Sequence, residues 1–88
     1  MNNGWIKVNE SLWNNHLTYA QNRKNGCRIP PEGRQVLIYD KDKSKYFVGI
    51  IGTDMSNNRK LVAYETINGN IYSKIKSIYW KMFAQVER

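Results

Sequence analysis

Two residue types that carry much enzyme chemistry are almost missing from this 88-residue chain, which holds one cysteine, Cys27, and one histidine, His16. A single cysteine excludes an intramolecular disulfide, so the fold must stand without a covalent staple. One thiol and one imidazole cannot supply the four ligands a zinc site takes, and no Asp or Glu cluster at useful spacing replaces them. No metal and no cofactor is expected. Catalysis by a nucleophile and base needs a positioned pair, and no local motif supports a Cys-His-Asn or Ser-His-Asp arrangement. His16 falls on the apolar side of a helical pattern and reads as structural; Cys27 reads as a half-buried small hydrophobe. Acids are scarce too. The seven Asp and Glu are scattered among basic neighbours and offer no carboxylate pair for general acid–base work. The expectation is a protein that is not an enzyme.

Long apolar runs are also missing. The longest, residues 46–52, has the length of a strand and falls far short of the ~18 residues a membrane span requires. The first residues, Met1-Asn2-Asn3-Gly4-Trp5, lack the basic and apolar regions of a signal peptide. A cytoplasmic protein without a membrane partner is expected. Two loop-like motifs carry no ligand chemistry. Asp40 and Asp42 have the i, i+2 spacing of calcium loops, but the intervening lysines and the missing later Glu make a solvated hairpin the better reading. Gly49-Ile50-Ile51-Gly52 has the spacing of some phosphate-clamping loops, yet two isoleucines inside a strand make it structural.

What the chain does have is positive charge and apolar bulk. Fourteen Lys and Arg give a formal charge of +7, a field that attracts polyanions or an acidic protein surface and says nothing about fold. Heavy use of Asn, Lys, Ile and Tyr is also what AT-rich coding sequence produces, so part of this charge can be codon bias. Hydrophobic residues make up 41% of the chain and aromatics 12%, enough for a core and too much for a disordered tail. At this length one domain over 1–88 is expected, burying about 60–65% of the surface its unfolded form exposes.

The apolar residues Leu12, Trp13, His16, Leu17 and Ala20 recur at helical spacing and predict one helix over about 10–24. Asn9 and Ser11 supply N-terminal caps, Arg23 and Lys24 suit the last turn, and Asn25-Gly26 suits a left-handed C-terminal cap. Pro30, Pro31 and Gly33 then break regular structure. Short β-branched and aromatic runs follow at 34–39, 45–51, 60–67, 71–75 and 78–86, with a short β-compatible piece at 5–8. Asn68-Gly69 predicts a type I′ hairpin, and Gly49 and Gly52 a bulge or bend. Alternation puts Ile71, Ser73 and Ile75 on one face and Tyr72, Lys74 and Lys76 on the other. The fold expected is α+β: one N-terminal helix packed on a strongly bent antiparallel β-meander of four to five strands over about 34–86, forming a partly closed small barrel.

The basic residues make the constellation with most functional content. Lys41, Lys43 and Lys45 crowd one hairpin, Arg59 and Lys60 open the next strand, and Lys74 and Lys76 share a strand face with Tyr72; Tyr46 and Tyr79 can join them. Cations interleaved with aromatics on a sheet are what single-stranded nucleic-acid binders use. The plainer reading is a solvated face whose lysine stems lie over apolar rings. Trp5, Trp13 and Trp80 could line a small-molecule or nucleotide pocket, though a domain of this size needs them in its core.

Three blocks resemble a known family. Residues 5–12 (Trp-Ile-Lys-Val-Asn-Glu-Ser-Leu), residues 31–39 (Pro-Glu-Gly-Arg-Gln-Val-Leu-Ile-Tyr) and residues 78–82 (Ile-Tyr-Trp-Lys-Met) follow the order of the blocks in the phage and prophage domain-of-unknown-function family 551. A Tudor or SH3-like small barrel is a second likeness, carried by the meander. The first resemblance implies a small accessory protein of a phage or mobile element in a bacterial cytoplasm. By analogy with such proteins, the function expected first is binding, and inhibiting or modulating, a host protein with an acidic or nucleic-acid-binding surface. Direct DNA or RNA binding is the alternative, and small-molecule binding a second one.

Overall fold

The computed structural model describes residues 4–83, and its strands form a single sheet of six. In chain order they are β1 (Ile6–Lys7), β2 (Val36–Asp40), β3 (Lys45–Asp54), β4 (Lys60–Glu65), β5 (Ile71–Tyr72) and β6 (Ile78–Lys81). One α-helix, α1 (Tyr19–Lys24), lies between β1 and β2, and short 3-10 turns occupy Glu10–Leu12, Met55–Asn57 and Ile75–Ser77. All pairings are antiparallel, in the order β1-β6-β2-β3-β4-β5.

The α+β class expected from the sequence is present, but its details need three corrections. First, β2 to β5 form a meander, whereas β6 leaves it, crosses the end of the core through the 3-10 turn at Ile75–Ser77 and inserts between β1 and β2. The sheet has six strands rather than four or five and is not closed, since β1 and β5 are both edges. Residues 84–86 of the last expected strand lie outside the described residues.

Second, the helix occupies Tyr19–Lys24 and not 10–24. Its cap is Thr18, in a capping box with Gln21, rather than Asn9 or Ser11. The physical reason is Asn22, which is fully buried. Its Oδ1 accepts from the Asn14 backbone N–H (2.7 Å), and its Nδ2 donates to the carbonyls of Asn14 (2.9 Å) and Thr18 (3.0 Å). These bonds hold residues 14–18 as a loop folded back on the helix, a conformation that satisfies the same backbone groups a longer helix would use. The C-terminal punctuation agrees with expectation: Asn25 closes α1 and Gly26 follows at φ +95°.

Third, β5 has the opposite phase to the one alternation suggests. Tyr72 is buried and Ile71 is 57% exposed, because the Tyr72 ring stacks on Phe47 (4.5 Å, 19°) and its hydroxyl donates to Glu65 (3.0 Å). Ile75 is buried as well, but from within the 3-10 turn. The loop at 66–70 is longer than a type I′ hairpin, with Gly69 alone at positive φ (+70°). Gly49 marks neither bulge nor break, since β3 runs unbroken for ten residues. A Cβ there would stand 2.1 Å from the Tyr64 carbonyl oxygen, so glycine is needed for close approach of β4.

One face of the sheet carries the core: Val36 and Ile38 of β2, Phe47 and Ile51 of β3, Leu61 and Ala63 of β4, and Ile78 and Trp80 of β6. Its cover is less a helix than the folded segment from Val8 to Ile29, which contributes Val8, Tyr19, Cys27 and Ile29. Two bonds pin that segment: Tyr19 Oη donates to the Pro30 carbonyl (2.7 Å) and Trp80 Nε1 to the Arg28 carbonyl (2.9 Å). Burial pushes the Cys27 thiol above its ordinary value, with Glu10 adding to the effect, and burial likewise raises Tyr19. Cys27 is fully buried and packs in the core. Among the described residues no helix is long and apolar enough to cross a membrane.

Candidate binding face

The ten residues singled out from the sequence divide between two sides of the sheet. Lys41, Lys43, Lys45 and Lys74 gather where the β2–β3 hairpin meets β5, at the end of the core-bearing side. There Lys43 and Lys45 lie 5.5 and 5.6 Å from the Tyr72 ring centroid, with Tyr72 itself buried beneath them. Acids answer much of this charge: Lys45 Nζ is 3.7 Å from Glu65 and Lys74 Nζ is 3.7 Å from Asp42. The contact with Tyr72, set against burial and reinforced by Glu65, pushes the Lys45 ammonium up. Burial tends to raise the Glu65 carboxyl, but bonds from Asn70, Tyr72 and Asn68, with the Lys45 charge, hold it below the ordinary value. Glu65 therefore organises the 66–70 loop and neutralises Lys45.

Arg59 is structural. It sits in the left-handed region (φ +54°) behind Asn58 (φ +60°), its guanidinium donates to the Asn15 carbonyl, and its own carbonyl accepts from Trp13 Nε1 (3.1 Å). Lys60 and Lys76 border a groove of about 580 Å³ that also contains Glu10 and Asp42, so its charge is mixed. Another groove, of about 570 Å³, runs beside α1 over Ile6, Tyr19 and Trp80. The three tryptophans do not converge on one pocket: Trp80 lines this groove, Trp13 a different one, and Trp5 lies among the rings of the opposite face.

Tyr46 and Tyr79 belong to that opposite face, with partners the sequence reading did not name. Lys7 pairs with Tyr79, Tyr79 with Tyr39, and Tyr39 with Tyr46, so one row crosses β1, β6, β2 and β3 in register. In the next row Lys81 pairs with Leu37, and Leu37 with Val48. Ring centroids lie 4.5 Å apart for Tyr39 and Tyr46 and 6.2 Å apart for Tyr39 and Tyr79. Trp5 closes the cluster at 6.1 Å from Tyr39 and 5.8 Å from Tyr46. Lys81 Nζ stands 5.1 Å above Trp5, and Lys7 Nζ is 5.9 Å from the Tyr79 ring while it donates to the Lys76 carbonyl (2.7 Å).

The acids are elsewhere. Asp40 and Glu65 are buried on the core side, Asp42 sits in the β2–β3 turn and Asp54 caps the turn after β3. Glu10 and Glu32 line the two grooves described above, so among the described residues the outer face of β1, β6, β2 and the first half of β3 combines four rings and two lysines with no carboxylate.

The chain's six tyrosines separate along the same line. The hydroxyls of Tyr19, Tyr64 and Tyr72 donate to Pro30, Thr53 and Glu65. Among the described residues, those of Tyr39, Tyr46 and Tyr79 make no such bond. The available signal for these residues was the strand phase, since Tyr39 alternates with the buried Ile38 and Tyr79 with the buried Trp80.

No group of three or more His, Cys, Asp and Glu that could hold a metal ion occurs among the described residues. No protein-family model matches the chain, and no curated protein and no solved structure is detectably similar to it.

Proposed function

We propose that the protein is a non-catalytic binding module that docks an anionic macromolecule on the outer face of β1, β6, β2 and β3. A single observation carries this reading: Lys7, Tyr79, Tyr39 and Tyr46 form one row in register across four neighbouring strands. Large rings kept at a solvated surface and flanked by cations mark an interaction site, because apolar area left in water costs free energy unless a partner covers it. Lysines over rings add attraction for anions without losing the cation–π contact. The test is retention on a sulfated polyanion column. The double variant Lys7→Glu with Lys81→Glu should elute at markedly lower salt than Lys24→Glu with Arg34→Glu, which changes formal charge equally elsewhere. Equal shifts would refute this placement of the surface.

A protein partner is the second reading, and it keeps the notion of a phage-type accessory protein acting on a host factor in a bacterial cytoplasm. Its support is the exposed apolar surface of Tyr46 and Met82, which are 59% and 42% exposed. A nuclease-resistant complex from bacterial lysate, lost in Tyr46→Ala and Met82→Ala, is the expected result for that reading.

A further inference from the structure

The chemistry of the ligand follows from the centre of the face rather than its rim. An acidic protein surface is recognised by cations, and a face shaped for one would place lysines centrally. Here rings hold the centre and the two lysines stand beside them. The three tyrosines of the row are those whose hydroxyls no hydrogen bond occupies, whereas the three outside it are bonded into the fold. Tyr46 is 59% exposed, Tyr39 is supported between it and Tyr79, and Trp5 stands at the side as a wall.

We infer that this face binds single-stranded nucleic acid, the bases stacking on Tyr46, Tyr39 and Tyr79 while Lys7 and Lys81 hold adjoining phosphates. The inference rests on the reading of this face as the docking surface and names its ligand class. Every base presents a π-face, so a row of rings takes successive bases without demanding a sequence. Duplex is disfavoured because its bases are stacked on one another inside the helix, where the rings of the row cannot reach their faces. The charge arithmetic is also distinctive. Two phosphate contacts on a single strand give a slope of roughly −1.4 in log K against log salt. Diffuse attraction by the whole +7 charge gives a steeper one.

The experiment uses the full chain and fluorescein-labelled oligothymidine and oligouridine, read by anisotropy and by quenching of tryptophan emission. Expected are saturable binding to both single strands, weaker binding to a hairpin duplex of equal length, and a shallow salt slope near the value above. Tyr46→Ala and Tyr79→Ala should each weaken binding by roughly 5- to 150-fold, while Tyr46→Phe, which keeps the ring, should bind as the parent does. Circular dichroism melting of each variant excludes loss of fold as the cause. Three results overturn the inference: no binding to either oligonucleotide at low salt, equal affinity for duplex, or unchanged affinity in Tyr46→Ala and Tyr79→Ala. The first, combined with a column shift in the Lys7→Glu, Lys81→Glu variant, leaves the docking surface standing and removes nucleic acid. The third, without a column shift, removes the surface itself.

Discussion

Replacing Asn22 by leucine, which has the same branching but bulkier methyl ends and no polar atom, tests why the helix is short. The substitution removes the acceptor for the Asn14 N–H and the donor to the Asn14 carbonyl, bonds of 2.7 and 2.9 Å in the present structure. Thr18 loses less, because its carbonyl also accepts from the Asn22 backbone N–H (3.0 Å), which the variant retains. Leaving a buried backbone group unpaired costs about 1–3 kcal/mol. The Asn14 carbonyl likewise keeps the Leu17 backbone N–H (3.1 Å), so one group, the Asn14 N–H, is left unpaired at a cost of about 1–3 kcal/mol, with the lower half favoured because Asn14 lies near solvent. An 88-residue domain has a total stability of only about 4–13 kcal/mol. With an m-value of about 1–3 kcal/mol/M, the urea midpoint should fall by on the order of 0.5–1 M. Tryptophan emission during urea unfolding reads this directly, since Trp80 is buried and Trp13 packs on the core. Asn14→Ala is the control. The bonds to Asn22 use its backbone, and its side chain accepts only the His16 N–H (2.9 Å), so its cost should stay near 1 kcal/mol. A stability for Asn22→Leu within about 0.5 kcal/mol of the parent would refute the account of the 14–18 loop.

Two further outcomes follow from the sheet. Gly49→Ala would set a Cβ 2.1 Å from the Tyr64 carbonyl oxygen and should cost about 3 kcal/mol or more, whereas Gly52→Ala meets only the Tyr64 ring edge at 3.4 Å and should cost about 1 kcal/mol or less; thermal melts of the pair check the contrast. Because the Glu65 carboxyl lies lower in the folded state than in the unfolded one, its contribution is present above an unfolded value of about 4.3 and disappears as pH falls through the folded value. Glu65→Gln should therefore flatten the loss of stability below about pH 4.3, and superimposable acid profiles for the two proteins would contradict the assigned role.

How far the sequence discloses this structure depends on how local each determinant is. The strands β2, β3 and β4 are legible, since Val36, Ile38, Phe47, Ile51, Leu61 and Ala63 supply enough alternation or apolar density to fix an element. The cap at Asn25-Gly26 is legible for the same reason. Tyr72 is not: β5 has two residues, too few for a period, and what turns the ring inward is a stack on Phe47 from another strand. The helix start is misread because Asn14 and Asn22 satisfy one another eight positions apart, a contact that periodicity does not register. Lys41 to Lys45 stand out as a run, yet the face proposed for binding is assembled from residues 5, 7, 39, 46, 79 and 81. Its existence depends on β6 pairing with β2, and nothing near residue 79 announces that partner.

The position of β6 also bears on how the chain is made. It is the last of the described strands to be synthesised and yet fills the second place in the sheet. Until Lys81 has emerged, β1 has no neighbour and the β2 edge, carrying Val36, Leu37, Ile38 and Tyr39, is open on one side. At about 5–20 residues per second, the stretch from β2 to the end of β6 keeps that edge exposed for roughly 2–8 s. Such an edge invites pairing with other nascent chains, and charge is a common defence. Lys41, Lys43 and Lys45 sit at the end of that edge, where like charges on two growing chains repel. Positive charge beside the β2 edge opposes such pairing before any ligand is met, and a chain stopped short of Ile78 leaves that edge without its β6 partner.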